Sequence, residues 1–331
     1  MTLEDVARSA RVSTATVSRV VNNISPNSAK KARVLRAIER LKYRPNLSAR
    51  SLAMGTTRSI GVIVSNLENP YFLDIYKAVE AGARRAGYEV VIANAGHGPE
   101  RLAASVQLMR GHRVSGVAAI GSELDAQAIE ELGANGIRVA SFHDGPPCQS
   151  TYHIGVDYHR AMERLVTYLY GLGHRRLGVV SHGVGSGVVH ERLGALLRAT
   201  AGFSDLEVQA AENADSLEGG FAATQALLRG HPDISVLLCA NDWTAMGALR
   251  ALRDNGLRVP EDVSVTGFDN VNVGQFCSPA LTTVHIARDR IGQKICDFLL
   301  NPPTPEGKEM LAIDAEVVVR ESTGPAATRH R

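Results

Sequence analysis

The sequence predicts a small helical head at the N-terminus, joined by a hinge to two tandem α/β subdomains. Three observations indicate this organisation: two short helices within the first 22 residues, a change in charge near residue 58, and two successive series of apolar strands alternating with helices. A chain of 331 residues suits two or three domains. The composition, 44% hydrophobic with 5% aromatic residues, is typical of packed globular domains.

The first predicted helix starts at the N-terminus of the chain. Thr2 and Asp5 have the spacing of a capping box, in which each side chain accepts a hydrogen bond from a backbone N–H of the other's turn. A turn at Ala10-Arg11-Val12 ends this helix, and Ser13 is suited to capping a second helix. The pattern predicts a helix-turn-helix, and an ordinary helix pair within a core is the alternative interpretation.

In a helix-turn-helix the second helix lies in the major groove of DNA, with its first residues at the base edges. The base-contacting positions would then be Thr14, Ala15 and Arg19. The hydroxyl groups of Thr16 and Ser18 can donate hydrogen bonds to phosphates.

A third helix and a hinge complete the head. Residues 28–41 contain apolar side chains at helical spacing, and Pro45 then ends the head, so we assign residues 1–45 to it. Residues 46–58 form a predicted hinge helix and linker that is too short and polar to fold alone. Leu52 within it is suited to act as an apolar wedge in the minor groove, although a plain packing role is the alternative.

The charge of the chain is divided unevenly along its length. Residues 1–58 contain 12 Lys and Arg against three Asp and Glu, whereas the remaining residues contain 24 basic against 31 acidic side chains. A basic head on an acidic body indicates that only the head binds a polyanion such as DNA.

From residue 59 onward, strands and helices alternate twice. The predicted strands are Ile60–Val64, Val90–Ala93, Gly116–Ile120, Val139–Phe142, Leu177–Ser181, Leu206–Gln209, Val236–Cys239 and Val263–Phe268. The predicted helices lie near residues 71–86, 99–111, 125–135, 159–172, 188–200, 217–229 and 242–255. Continuously apolar strands between amphipathic helices predict parallel, doubly wound sheets, with ligands at the carboxyl ends of the strands.

The C-terminal stretch has one more predicted helix at 287–300 and apolar runs at 311–313 and 317–319, which we expect to cross back between the subdomains. The N-terminal subdomain is therefore assigned residues 59–158 and 286–312, and the C-terminal subdomain residues 159–285 and 313–331. The tail after Arg320 contains no leucine heptad, so we expect a homodimer.

Several classes of protein are excluded by the sequence. No apolar run approaches 18 residues and the chain begins without a basic-then-apolar leader, so we expect a cytoplasmic protein without a membrane anchor. The four cysteines and 11 histidines show no metal-ligand spacing, and we expect no metal and no cofactor. The glycines at 183, 185 and 187 fail the G-x-G-x-x-G pattern, and no catalytic motif is present, so we expect no enzymatic activity.

Short segments along nearly the whole chain carry a family likeness. They are Thr2–Asn22, Tyr43–Asn46, Ala49–Leu52, Arg58–Val62, Asn69–Phe72, Leu172–His174, Glu191–Gly194, Ala240–Asp242, Ala245–Gly247, Gly267–Asp269 and Pro279–Thr283. In this order and spacing, the chain resembles the LacI/GalR family of transcriptional regulators. The resemblance implies two α/β subdomains of periplasmic-binding-protein type and a repressor controlled by a small effector, with double-stranded DNA as partner.

The resemblance also implies roles for individual residues. Thr14, Ala15 and Arg19 match positions that read operator bases, and Leu52 matches the intercalating leucine of the hinge helix. The positions that match effector contacts of the family are Phe72, Asp144, Arg192, Asn241 and Asp269. A turn-capping aspartate is the alternative for Asp269, and a surface arginine for Arg192.

The chain departs from the family pattern at several positions. Arg11 stands where glycine is common, which would strain a turn that needs a positive φ. Ser186 lies where some members present polar ligand contacts, and Asp215 lies where an aromatic residue often stacks on the ligand. The effector expected from these residues is a sugar or sugar derivative. A nucleobase-responsive regulator and a periplasmic-type sugar-binding protein without DNA function are the alternatives.

Overall fold

The computed structural model describes residues 1–21, 28–43, 57–96, 98–121, 126–134, 136–142, 151–182, 190–301, 309–311 and 316–327. The chain divides into two compact units, Met1–Thr57 and Arg58–Arg331, each of which has its own internal contacts. No helix among the described residues combines the length and the apolar character needed to cross a membrane.

The described residues of the first unit form three helices around a small core. They are α1 (Leu3–Ala10), α2 (Thr14–Val21) and α3 (Ser28–Leu41). The core is formed by small and β-branched side chains that each helix places on its inner face, namely Val6, Ala7, Ala10, Val17, Val20, Val34 and Ala37. Such short helices are marginal alone, so packing on this core stabilises them.

The predicted capping box of α1 is confirmed. The Asp5 amide donates to Thr2 Oγ1 at 3.2 Å, and the Thr2 amide donates to Asp5 Oδ2 at 2.9 Å. Backbone bonding at Thr2 lowers the pKa of Asp5, because the hydrogen bond favours the charged form. Ser13 accepts from the Thr16 amide at 3.3 Å, as its predicted role requires.

The turn between α1 and α2 has the left-handed conformation that its sequence disfavours. Arg11 has φ 52° and ψ 52°, and its amide donates to the carbonyls of Ala7 and Arg8. A side chain at positive φ costs free energy that glycine avoids, so the arginine strains this turn.

The second unit begins with a six-stranded parallel sheet. Its strands are β1 (Ser59–Val64), β2 (Glu89–Asn94), β3 (Gly116–Ile120), β4 (Arg138–Phe142), β5 (Tyr152–Val156) and β11 (Glu309–Leu311), in the order β11-β5-β4-β3-β1-β2. The sequence prediction missed β5, because His153 and Gly155 interrupt its apolar run although all five residues are buried.

Helices cover both faces of this first sheet. One face packs on α4 (Pro70–Arg85) and α11 (Arg288–Leu300), and the other on α5 (Pro99–Gly111) and α6 (Ala126–Ala134). Alternate residues of β1 enter different cores: Ile60 and Val62 face α4, whereas Ile63 faces α5. This alternation explains why the strand is apolar throughout.

A second parallel sheet follows in the order β7-β6-β8-β9. Its strands are β6 (Arg176–His182), β7 (Glu207–Asn213), β8 (Val236–Cys239) and β9 (Ser264–Thr266). The helices around it are α7 (His159–Gly171), α8 (His190–Thr200), α9 (Leu217–Gly230) and α10 (Asp242–Asp254). The predicted strand at 263–268 is therefore shorter, because Gly267, Phe268 and Asp269 leave the ladder to enter a turn before the 3₁₀ helix Asn272–Phe276.

The chain crosses between the sheets more than once. After β9, strand β10 (Thr283–His285) pairs antiparallel with β12 (Glu316–Val318), while α11 and β11 between them join the first sheet. The glycine at 292 lets α11 approach α4 closely, since a Cβ there would lie 2.4 Å from that of Ala78. The α11 helix therefore packs tightly on α4, and both helices contribute to the core on the same face of the first sheet.

Candidate functional site

The outer face of α2 presents the residues predicted to contact DNA. Thr14, Ala15 and Arg19 are exposed, whereas Thr16 and Ser18 are half-buried. Thr16 Oγ1 lies 3.0 Å from Ser13 Oγ, so its hydroxyl also braces the start of the helix. The exposed residues Thr14, Ala15 and Arg19 offer two small side chains and one cation to the major groove of DNA. Small side chains let a helix approach the base edges closely.

Basic side chains are also exposed on α3. Lys30, Arg33, Arg36 and Arg40 are exposed there, and Arg40 donates to Ser9 Oγ. Exposed cations on one small unit suit phosphate contacts. Leu52 and the hinge lie outside the described residues, so their role stays a prediction.

In the second unit, the carboxyl ends of the strands hold a buried ion pair. Arg192, near the start of α8, places Nη2 3.4 Å from Asp269 Oδ1, and their side chains are 12% and 2% exposed. Arg192 Nη1 also donates to the Ala240 carbonyl at 3.1 Å. Arg192 is therefore not a surface arginine, since its guanidinium lies inside the molecule.

Three aromatic rings surround the Arg192 guanidinium. Its central carbon lies 4.7 Å from the ring centre of Phe268, 4.9 Å from that of Tyr158 and 6.0 Å from that of Tyr71. Aromatic faces attract a cation and exclude water from it, so they strengthen its interactions with any buried anion or ligand oxygen.

Asp269 is buried in an unusual backbone conformation. Its φ is 106°, and its amide donates to the Val284 carbonyl at 2.9 Å. Burial raises the pKa of Asp269 well above its usual value, and the charge of Arg192 opposes that rise. Its side chain faces Arg192, so the alternative of a turn-capping aspartate does not describe it.

A second polar cluster joins the ends of β6, β8 and the start of α9. Asn241 Nδ2 donates to Asp215 Oδ1 at 2.8 Å, and His182 Nε2 lies 3.7 Å from the same oxygen. Asn241 Oδ1 accepts from the Thr244 amide at 2.8 Å, so Asn241 is also the N-cap of α10. Across the cleft, Asn66 Nδ2 donates to the Asp215 carbonyl at 3.2 Å, which links the two subdomains.

The remaining predicted effector residues lie in different situations. Phe72 is buried and packs edge-to-face on Tyr71, with ring centres 5.3 Å apart. Tyr71, the residue before it, is the aromatic side chain that lies beside Arg192. Asp144 and Ser186 are outside the described residues.

Sequence reasoning missed several residues of this site. Ser65 directly follows β1 and Ser181 lies near the end of β6; both are buried, and their hydroxyl oxygens have no hydrogen-bond partner among the described residues. Their positions at carboxyl ends of parallel strands could have identified them. The same signal applies to His182, the last residue of β6, whereas Tyr71 and Tyr158 carry none, because only the fold brings them to the cleft.

The site is suited to binding a small polar molecule. Carboxylates, an amide and a guanidinium converge at the mouth of two sheets beside aromatic rings, which is typical of ligand pockets. Among the described residues, no group of three or more His, Cys, Asp and Glu side chains could hold a metal ion.

Comparison with known proteins gives a consistent result over the whole chain. The family model for "Bacterial regulatory proteins, lacI family" matches residues 2–46, and that for "Periplasmic binding proteins and sugar binding domain of LacI family" matches residues 57–321. The HTH-type transcriptional repressor PurR of Pasteurella multocida is 31% identical, and that of Histophilus somni (strain 129Pt) 32%; each match covers 97% of this chain and 98% of the relative.

Solved structures are also similar to this chain over nearly its whole length. The lac repressor dimer bound to operator and the anti-inducer ONPF superposes with a TM-score of 0.85 at 29% identity, covering 98% of this chain and 99% of that one. A complex of the transcriptional regulator CelR with cellobiose gives 0.71 at 26% identity, over 97% and 99%. These matches confirm the predicted fold class, and the match over residues 2–46 corrects the alternative of a binding protein without DNA function.

Proposed function

The chain belongs to the LacI family of bacterial regulatory proteins, and from that premise we propose that a sugar bound in the cleft at Arg192 and Asp269 controls its affinity for an operator. It is a DNA-binding transcriptional repressor with an effector-binding domain, and it is not an enzyme.

One observation carries the proposal for the effector. Asp269 Oδ1 lies 3.4 Å from Arg192 Nη2, beyond the distance of a charge-assisted hydrogen bond, and has no hydrogen-bond partner among the described residues. A hydroxyl group both donates and accepts, so it can donate to Asp269 and accept from Arg192 at once. A molecule with several hydroxyl groups would satisfy the cleft best.

Other polar groups extend the same argument. The hydroxyl groups of Ser65 and Ser181 and the carboxylate of Asp215 are buried at or just beyond the carboxyl ends of β1, β6 and β7, in the two sheets. Regulators whose structures are similar to this chain were solved with cellobiose, ribose or lactose bound, which supports a sugar. The full set of residues that we assign to the effector is Phe72, Asp144, Ser186, Arg192, Asp215, Asn241 and Asp269.

A nucleobase is the second candidate for the effector. The rings of Tyr71, Tyr158 and Phe268 around Arg192 would suit a planar heterocycle, whose ring N–H could donate to Asp269. The curated relatives named above are PurR repressors, which favours the same candidate.

We assign operator contact to the head and assembly to a dimer. Thr14, Ala15 and Arg19 would read bases, with Thr16 and Ser18 on phosphates and Leu52 in the central minor groove.

A pseudo-palindromic operator requires two heads, and one apolar surface suits dimerisation. The side chains of Phe276 and Val273 on this surface are 76% and 41% exposed. We place this regulator in the cytoplasm, where operator DNA lies.

Two experiments test this function. First, the full-length protein selects duplexes from a random DNA pool, and the affinity of the selected duplex is measured at several salt concentrations. We expect log K to fall with log salt by about 0.9 per neutralised phosphate. Retention of DNA without sequence preference would contradict the operator-binding role.

Second, a thermal-shift screen compares sugars, sugar acids, phosphosugars and nucleobases. A ligand at about 100 times its Kd stabilises the folded state by about 2.7 kcal/mol, which is readily measured. Stabilisation by nucleobases alone would replace the sugar with the second candidate.

A further inference from the structure

Two consecutive residues at the cleft hold strained backbone conformations. Asp269 has φ 106° and Asn270 has φ 55°, and neither is glycine. Such conformations are unfavourable for residues other than glycine, most of all at the φ of Asp269, and persist only where surrounding groups fix them. The contacts of this turn therefore determine where the Asp269 carboxylate points.

Arg288 binds both carbonyls of the turn. Its Nη1 donates to the Asp269 carbonyl, and its Nη2 donates to the Asn270 carbonyl at 3.0 Å. The same guanidinium places Nε 3.3 Å from Asp74 Oδ2, and the two side chains are 14% and 29% exposed. One planar group thus joins a carboxylate on one side to two carbonyls on the other, which a lysine could not do.

The elements at either end of this contact belong to different sheets. Arg288 is the first residue of α11 and Asp74 lies on α4, and these helices pack closely against each other on the first sheet. The turn at Asp269 follows β9 of the second sheet. Arg288 therefore belongs to the first subdomain and donates hydrogen bonds to backbone carbonyls of the second.

Other contacts of the turn come from β10, α10 and the C-terminal segment instead. The Asn270 amide donates to Thr283 Oγ1 at 3.2 Å, and the Val271 amide donates to Asp242 Oδ2 at 2.7 Å. The Asn270 side chain accepts from Arg320 Nη2 at 2.8 Å and contacts His285 Nδ1 at 3.2 Å. None of these contacts reaches α4, whereas Arg288 does.

We propose that Arg288 is a positioning residue that couples the carboxylate of Asp269 to helix α4 of the first subdomain. The proposal rests on the effector role of Asp269 stated above. A ligand that pulls Asp269 relative to Arg192 shifts the turn, and the turn is tied through Arg288 to Asp74. The same helix carries Tyr71, whose ring faces Arg192, so both walls of the cleft respond together.

Hydrogen–deuterium exchange of the full-length protein, without DNA or ligand, tests the coupling. The amides of residues 269–271 are all hydrogen-bonded, so their exchange reports opening of the turn. In Arg288→Lys we expect their exchange to accelerate by at least about fivefold, because the strain is no longer held. Unchanged exchange in Arg288→Lys would overturn the proposal.

Asp74→Asn provides the more specific measurement. Among the described residues, Asp74 on α4 contacts the turn only through Arg288. Faster amide exchange at residues 269–271 in Asp74→Asn must therefore be transmitted by Arg288. Asp74→Asn should add nothing further in the Arg288→Lys background, as expected for two residues acting in series. Additive effects, or no effect at 269–271, would overturn the link to α4.

Lys77→Gln is the matched control. Lys77 Nζ binds Asp74 Oδ1 at 3.1 Å within the same helix, so this change also removes a partner of Asp74 but leaves Arg288 in place. Exchange at residues 269–271 should stay within about twofold of the wild type, as for a surface pair of little energetic value. An acceleration equal to that of Asp74→Asn would overturn the specific role of Arg288.

These outcomes separate the coupling from the proposed function. The amide exchange of residues 269–271, measured without DNA and ligand, tests only the coupling through Arg288. Failure to select a duplex from the random pool contradicts only the proposed function. Unchanged fluorescence of Trp243, the single tryptophan of the chain, establishes that each variant is folded.

Discussion

Arg192 and Asp269 form a buried ion pair whose closest atoms, Nη2 and Oδ1, are 3.4 Å apart. The pair connects α8 with the turn after β9, and three aromatic rings surround its cation. Because buried charges are expensive unless they are fully bonded, a buried carboxylate whose Oδ1 accepts no hydrogen bond from the described residues indicates a binding site better than it indicates stability.

Arg192→Lys should weaken effector binding. Lysine keeps the charge but loses the planar fork that reaches Ala240, Asp269 and the aromatic faces together. We expect the Kd of the compound giving the largest thermal shift to rise by at least about tenfold, measured by calorimetry.

Arg175→Lys is the control for that change. Arg175 also stacks on a tyrosine, 3.6 Å from the ring centre of Tyr170, and binds Asp205, but it lies on an exposed part of the surface. Effector binding should be unaffected. Equal weakening in both variants would contradict a special role for Arg192.

The carboxyl group of Asp242 should make stability depend on pH. Burial raises its pKa to about 7 from 3.8, against the lowering effect of its hydrogen bonds from Thr283 and Val271. Between pH 3.8 and about 7, the Asp242 carboxyl group therefore stays protonated in the folded state, whereas it has lost its proton in the unfolded state. Stability should fall as pH rises from about 4 to about 7, by at most about 1.4 kcal/mol per pH unit, and then level off.

Urea unfolding followed by Trp243 fluorescence measures this dependence. In Asp242→Asn the decline between pH 4 and 7 should be smaller, whatever the overall loss from altered bonds to Thr283. Asp254→Asn, at the exposed end of α10, is the control and should keep the wild-type slope. An Asp242→Asn slope equal to that of the wild type would contradict the assignment.

Arg11→Gly should stabilise the head. Glycine adopts φ 52° without the penalty paid by arginine, which is about 1 kcal/mol. Amide exchange of α1 in the full chain should slow by about fivefold. Arg8→Gly, inside the helix, should instead accelerate exchange, and slowing in both variants would show that the turn is not strained.

Arg19→Ala and Lys30→Ala should affect DNA binding differently. Arg19 is exposed on α2 and is expected to contact a base, so its loss should cost about 1–3 kcal/mol and relax the preference at one position of the selected duplex. Lys30 is exposed on α3, and its loss should weaken binding to all sequences and reduce the salt dependence by about one unit. Anisotropy titrations on the selected duplex and single-base variants distinguish them, and unchanged preference in Arg19→Ala would exclude base contact.

Local signals predicted much of the fold. The capping box at Thr2 is predictable because its hydrogen bonds join residues within one turn. The apolar strands are predictable because a strand buried on both faces consists of consecutive apolar residues. β5 was missed because its buried histidine bonds to Ser141, a partner on another strand.

The candidate site was less accessible to such reasoning. Arg192 and Asp269 were identified by resemblance, but their aromatic surroundings come from three separate elements. The link from Asn66 to Asp215 joins residues 149 positions apart, and Arg288 reaches Asp74 across two packed helices. No local pattern encodes these contacts, since they depend on how the subdomains fold together.

The most direct test is the effect of the effector on operator affinity in the wild type and in Asp269→Ala. The full-length proteins are titrated onto the selected duplex with and without the compound that gives the largest thermal shift. The wild-type Kd for DNA should change by at least about tenfold, and that of Asp269→Ala should stay constant while its ligand-free affinity is retained. An equal response of both proteins would contradict control of DNA binding from this cleft.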